Sequence, residues 1–157
     1  MSSRSVIRLA GVAALVLSAC GGTSYIATSS PSPAASPMVD VATVTAAGTQ
    51  EMALTTSTGL TLYYLTSDVA ATPKCAGACL TNWPPLLSAG SPTGVAGVSG
   101  TLTVVQNANG NQVAYNGHLL YEFASDKAAG DTKGEGIQAF GGVWHVVSPT
   151  LAAKPRY

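Results

Sequence analysis

Charge is scarce in this chain: Asp, Glu, Lys and Arg make up 9% of its 157 residues, with 7 basic against 7 acidic and a formal net charge of zero. An average soluble domain carries roughly 25%. With no basic block there is no counterion release to drive binding to nucleic acid, which excludes that class of partner. Histidine is scarcer still, at 2 residues. No G-x-S-x-G elbow, H-E-x-x-H pair or C-x-x-C-H haem attachment occurs, and no glycine-rich phosphate loop leads into a helix. An enzyme is therefore not expected. No apolar run reaches the 18 residues of a membrane-spanning helix. Low charge does not mean disorder, which requires high net charge with few β-branched or aromatic residues. The second half of this chain is rich in Val, Thr, Leu and Tyr, and the length suits one domain.

The N-terminus says where the chain goes. Arg4 and Arg8 precede an apolar run over residues 9–19 that is broken only by Gly11 and Ser18. Eleven residues at 1.5 Å each cover about half of a ~30 Å hydrocarbon core, so the run reads as the h-region of a secretory signal. Leu17-Ser18-Ala19-Cys20 matches a lipobox, in which the Cys thiol takes a diacylglycerol and becomes the mature N-terminus. Two or more acyl chains anchor stably where one does not. Residues 1–19 are thus expected to be a signal peptide. Residues 20–40 form a lipidated Ser/Pro/Ala/Gly-rich tether, 41–149 the domain and 150–157 a tail. The tether would hold the domain roughly 20–25 Å from the lipid. Loss of Arg4 and Arg8 leaves 5 basic and 7 acidic groups, so no electrostatic grip on the membrane is implied. The expected setting is the cell membrane or outer membrane, with the domain facing the periplasm or exterior. Gly21 does not supply the Asp retention signal of Gram-negative inner membranes.

An internal repeat follows. Residues 59–68, GLTLYYLTSD, align without gaps on residues 117–126, GHLLYEFASD, at an offset of 58, and each copy runs on to a tryptophan, Trp83 or Trp144. In the second copy Asn116-Gly117 between alternating runs is a strong hairpin signal. The first copy has a weaker turn at Thr58-Gly59. Further Val- and Thr-rich strands are expected at 41–46, 101–106 and 143–147, and a solvated loop at 126–135. The fold class is mainly β: a small domain of two related hairpin-containing halves, with one short helix over about 75–83 that must stop before Pro84-Pro85. Leu60, Leu62, Tyr63, Leu65, Leu119, Tyr121, Phe123, Phe140 and Val146 are the expected core, together with the tryptophans.

These features together resemble the bacterial lipoproteins with a secreted repeat of unknown function. The likeness rests on G-x-x-L-Y-x-[LF]-x-x-D in both halves, C-x-G-x-C-x-x-x-W-P-P-L at 75–86, and G-D-T-x-G-x-G with F-G-G-x-W-x-V-V-S-P over 130–149. It covers about residues 50–149. The resemblance implies a lipid-anchored extracytoplasmic setting and assigns no activity.

Cys75 and Cys79 are the only thiols left once Cys20 is lipidated, and an oxidising compartment makes a disulfide the default. So short a loop would contribute only about 2 kcal/mol, pinning a turn. Residues four apart on a regular helix hold their Cβ atoms about 5–6 Å apart, more than the 3.5–4.5 Å a disulfide takes, so Gly77 would have to supply a distortion. The alternative is copper or thiol-redox chemistry at Cys75 and Cys79 with His118 and His145, since soft sulfur and imidazole suit copper; Met38 and Met52 could add thioethers. No metal is favoured, because the residues following Cys79 bring no nearby ligand. His118 also reads as an exposed turn residue and His145 as an outward strand position. Asp68 and Asp126 read as turn or cap carboxylates. Asp126, Asp131 and Glu135 could hold a hard cation but lack EF-hand spacing. Tyr63, Trp83, Tyr121 and Trp144 line a ligand groove or form the core, and the core is favoured. The function expected is a non-catalytic binding or envelope-interaction module whose partners are the membrane, through its anchor, and an unidentified envelope ligand or protein. Labelled palmitate should enter the full chain in a bacterial host and should not enter its Cys20→Ser variant, which should move from the membrane to the soluble fraction; equal labelling would place the acylation elsewhere.

Overall fold

The computed structural model describes residues 38–154; the signal segment and Cys20 lie outside the described residues. Each repeat opens with an antiparallel hairpin. In the first, β1 (Met38–Ala46) pairs with β2 (Thr49–Thr56). The turn Ala47-Gly48 has φ of 48° and 83°, the positive pair that matches the twist of a two-residue hairpin. After β3 (Tyr63–Leu65) and the two-residue β4 (Thr93–Gly94), the second repeat opens with β5 (Leu102–Asn107) and β6 (Gly110–Tyr115). Asn116-Gly117, with φ of 50° and 83°, then turns the chain into β7 (His118–Leu119). The first-copy turn is longer: five residues separate the bridged pair Thr55 and Thr61, whereas four separate Ala114 and Leu119. That extra residue is why the turn signal there is weak.

The final hairpin is β8 (Gln138–Ala139) and β9 (Gly142–Val146). The described residues form three small sheets, ordered β2-β1-β4, β3-β9-β8 and β5-β6-β7. The repeats exchange their last segments. β9 of the second repeat pairs with β3 of the first, Leu54 N–H donates to the Val147 carbonyl, and Val147 N–H donates to that of Leu62. Reciprocally, Pro85 of the first repeat bridges Tyr121, Leu86 N–H donates to the Leu120 carbonyl, and Val113 N–H donates to that of Leu86. At the centre the two equivalent tyrosines pair with each other: Tyr63 N–H donates to the Tyr121 carbonyl at 2.8 Å and Tyr121 N–H returns the bond at 2.9 Å. Equivalent residues that bond reciprocally mark a pseudo-two-fold axis.

The fold is mainly β, as the alternating runs require. The short helix expected over 75–83 is instead a 3-10 turn at Gly77–Thr81. Ala76 enters it extended and Gly77 has φ 58°, so no α-helical turn can start there. The strand β1 begins at Met38, inside the expected tether, and the expected tail is tied down as far as residue 154. Asn116 Nδ2 donates to the Leu151 carbonyl, Lys154 N–H donates to that of Asn116, and Lys154 Nζ donates to that of Asp68. His118, expected exposed, is 9% exposed because this segment covers it, with Nε2 3.1 Å from the Ala152 carbonyl. Phe140, expected in the core, is 43% exposed, since it occupies the tip of the β8–β9 turn.

Because each repeat lends its last segment to the other, neither can close a core alone. Residues 38–91 and residues 92–154, expressed separately, should each give the circular dichroism and proton-shift dispersion of unfolded chains. A cooperative melt from either piece would show that the exchange is dispensable.

Candidate functional site

The repeats' Tyr-x-x-x-x-Asp spacing is explained across the axis. Tyr63 Oη donates to Asp126 Oδ2 at 2.6 Å, and Tyr121 Oη donates to Asp68 Oδ2 at 2.6 Å, so each phenol is bound by the other repeat's carboxylate. The second oxygen of each Asp holds a loop of its own repeat. Asp68 Oδ1 accepts from Lys74 N–H at 2.6 Å and Cys75 N–H at 3.3 Å, and Asp126 Oδ1 accepts from Lys133 N–H at 3.1 Å. Burial, and then the hydrogen bond and charge of the neighbouring carboxylate, push both phenols far above the ordinary tyrosine range. The expectation that Asp68 and Asp126 hold turns is thus half of their role; bonding the opposite phenol is the other half.

Between these pairs lie the tryptophans. Trp83 and Trp144 stack with centroids 3.7 Å apart and planes at 3°. Tyr63 meets Trp83 edge-on at 5.5 Å and Tyr121 meets Trp144 edge-on at 5.1 Å. Tyr63, Tyr121 and Trp144 are 0% exposed and Trp83 is 2%, so the four side chains are packed in a closed core. The close packing needs Gly134: a Cβ there would lie 2.8 Å from Trp83 Cη2 and 2.9 Å from Tyr63 Cε1.

Cys75 and Cys79 form a disulfide, with Cα atoms 5.3 Å apart and both residues buried. In this oxidised form neither sulfur is a thiolate, the state in which cysteine takes a metal. Among the described residues no three His, Cys, Asp or Glu side chains gather in a metal-holding group. His118 and His145 both pack near Tyr64, at ring-centroid distances of 4.8 and 5.9 Å. Burial pushes the His118 pKa down, opposed by the Ala152 carbonyl, and burial and then Glu135 push the Tyr64 phenol up. The acidic cluster is dispersed by its partners. Asp126 binds Tyr63. Asp131 binds Lys133 Nζ at 2.7 Å and the N–H groups of Lys127 and Ala128, which together lower its pKa to about 2. Glu135 holds His145 Nδ1 and Val146 N–H, each at 2.7 Å.

Sequence reasoning missed the cross-repeat bonds, Gly134 and the buried Gln112. Gln112 is 0% exposed; its Nε2 donates to the Leu120 carbonyl while its Oε1 accepts from Asn107 and Asn109. The signal for the first was present: Tyr and Asp are five residues apart in both copies.

These features define a duplicated β domain closed by equivalent residues. The model of a family described as a secreted repeat of unknown function matches the chain twice, at residues 44–87 and 103–148, and the chain belongs to that family. Neither the curated proteins nor the solved structures contain a match to it. No helix among the described residues is long and apolar enough to cross a membrane.

The raised phenols make the stability of the domain depend on alkaline pH. Below the ordinary value of 10.0 the protonated phenols contribute fully; above it the unfolded chain loses protons that the folded chain keeps, and stability falls as pH rises. The decline should reach about 1.4 kcal/mol per pH unit per phenol. Denaturant midpoints measured through this range should fall less steeply in a Tyr63→Phe/Tyr121→Phe variant; equal slopes would mean that these phenols titrate normally.

Proposed function

We propose that this secreted-repeat protein is a lipid-anchored, non-catalytic interaction module of the bacterial envelope, and that its contact surface is the tip of the β8–β9 hairpin. One observation carries the reading. Phe140 stands 43% exposed at φ 54°, in a turn position that favours Asn or Gly. A bulky aromatic held there costs stability and adds little to the core, which is the mark of a residue kept for contact. The surrounding stretch, residues 136–147, contains no Asp, Glu, Lys or Arg, so an apolar partner meets no charge to desolvate.

The chain's acids and thiols support the non-catalytic part, since Asp68, Asp126, Glu135, Cys75 and Cys79 are all engaged in holding loops or closing the core. The partner favoured is an envelope protein with an apolar pocket for one aromatic ring, reached through the Cys20 tether. Nucleic acid is not a partner of so uncharged a chain.

A photoreactive residue placed at Gln138 of the lipidated full chain tests this in living cells. The expected result is a discrete protein adduct that disappears with Phe140→Asn, a change that suits the turn and should leave the melting temperature equal or higher. No adduct, a lipid adduct alone, or one indifferent to Phe140→Asn would overturn the reading.

A further inference from the structure

The buried aromatics are arranged in a way that packing alone does not ask for. Four aromatic rings run through the core in the order Tyr63, Trp83, Trp144, Tyr121, with successive centroids 5.5, 3.7 and 5.1 Å apart. A buried carboxylate is bonded to the phenol at each end. Apolar residues of similar volume would fill this space without burying two acids, whose desolvation is costly. From this geometry we infer a further activity: the core is a one-electron relay, in which Trp83 and Trp144 carry an electron between solvent and two Tyr–Asp end stations.

The step balances within the residues present and one external acceptor. A one-electron oxidant at the surface takes an electron from the tryptophan stack, and Tyr63 refills it. As the electron leaves, the Tyr63 Oη–H bond breaks and the proton passes to Asp126 Oδ2 along the hydrogen bond whose oxygens are 2.6 Å apart. The products are a neutral tyrosyl radical, a protonated Asp126 and an oxidant reduced by one electron. Tyr121 and Asp68 perform the same step at the other end. The charge arithmetic favours it. Oxidising an isolated buried ring creates a buried cation, whereas oxidising the pair turns a neutral phenol and a carboxylate into a neutral radical and a neutral acid. A buried charge is removed instead of created. The two stacked rings share the transient hole, and Phe123, only partly buried, lies on Trp83 at 4.3 Å, so on that side a single ring stands between the stack and solvent. The chemical class of partner is a diffusible one-electron oxidant or oxidising radical. This activity is independent of the contact assigned to Phe140.

The test uses the full chain in detergent with photogenerated ruthenium(III) tris-bipyridine as oxidant, read by transient absorption and electron paramagnetic resonance. A tyrosyl radical should form, and because the Oη–H bond breaks as the electron leaves it should form more slowly in heavy water. Tyr63→Phe/Tyr121→Phe should cut its yield about tenfold, while Tyr64→Phe should leave it unchanged. A radical yield unaltered by the double change, or lost only with Tyr64, would overturn the relay. The heavy-water measurement needs no variant: a wild-type radical that forms equally fast in light and heavy water would overturn it even if the double variant failed to fold.

Discussion

Everything in this domain depends on one reciprocal pairing, that of Tyr63 with Tyr121 across the pseudo-two-fold axis. Two equivalent strands that bond each other antiparallel leave each phenol on the far side of the axis from its own carboxylate. The phenol of one repeat therefore finds the Asp of the other, and the two 2.6 Å bonds are made or lost together with the interface. Removing one phenol would leave one buried carboxylate oxygen without its donor, a cost of at least about 1–3 kcal/mol because the group is charged. The arrangement ties the cooperativity of the fold to the contact between its halves.

The duplication conserves the centre and diversifies the loops that lead back to it. Between Asp68 and Trp83 the chain is held by the Cys75–Cys79 bond, with Cys75 N–H on Asp68. The corresponding stretch from Asp126 to Trp144 is three residues longer and contains no cysteine. There Lys133 N–H takes the place of Lys74 N–H on the carboxylate, and the next residue is Gly134, whose missing Cβ admits Trp83 and Tyr63. Glu135 then ties the loop to β9 through His145 and Val146. A covalent bridge and a two-armed carboxylate solve the same problem, which is to fix the tryptophan behind its own aspartate.

How much of this could be read from the chain follows from the range of each interaction. Local signals were sufficient for the Asn116-Gly117 hairpin and the main strands, because turn chemistry and alternation act over a few residues. The disulfide was legible from compartment and count. The exchange of last segments was not, since nothing in residues 142–147 says which repeat's β-strand they will join. His118 appeared exposed because the covering segment, 151–154, is remote in sequence. Phe140 appeared to be core because an aromatic is buried far more often than it is displayed, and only the backbone shows that its turn leaves the ring outside. The helix over 75–83 failed on one residue, Gly77, whose positive φ breaks the first turn.

The asymmetry that remains bears on function. The axis relates Tyr63 to Tyr121, Asp68 to Asp126 and Trp83 to Trp144, but it relates nothing to Phe140. Where the second repeat sends the β8–β9 hairpin into solvent just ahead of Trp144, the first carries a 3-10 turn with a buried disulfide just ahead of Trp83. Phe140 is displayed once, at positive φ and 43% exposed, and the contact proposed above rests on that single display. The core's paired chemistry and the tip's single aromatic thus separate what the duplication preserves from what one copy is free to present.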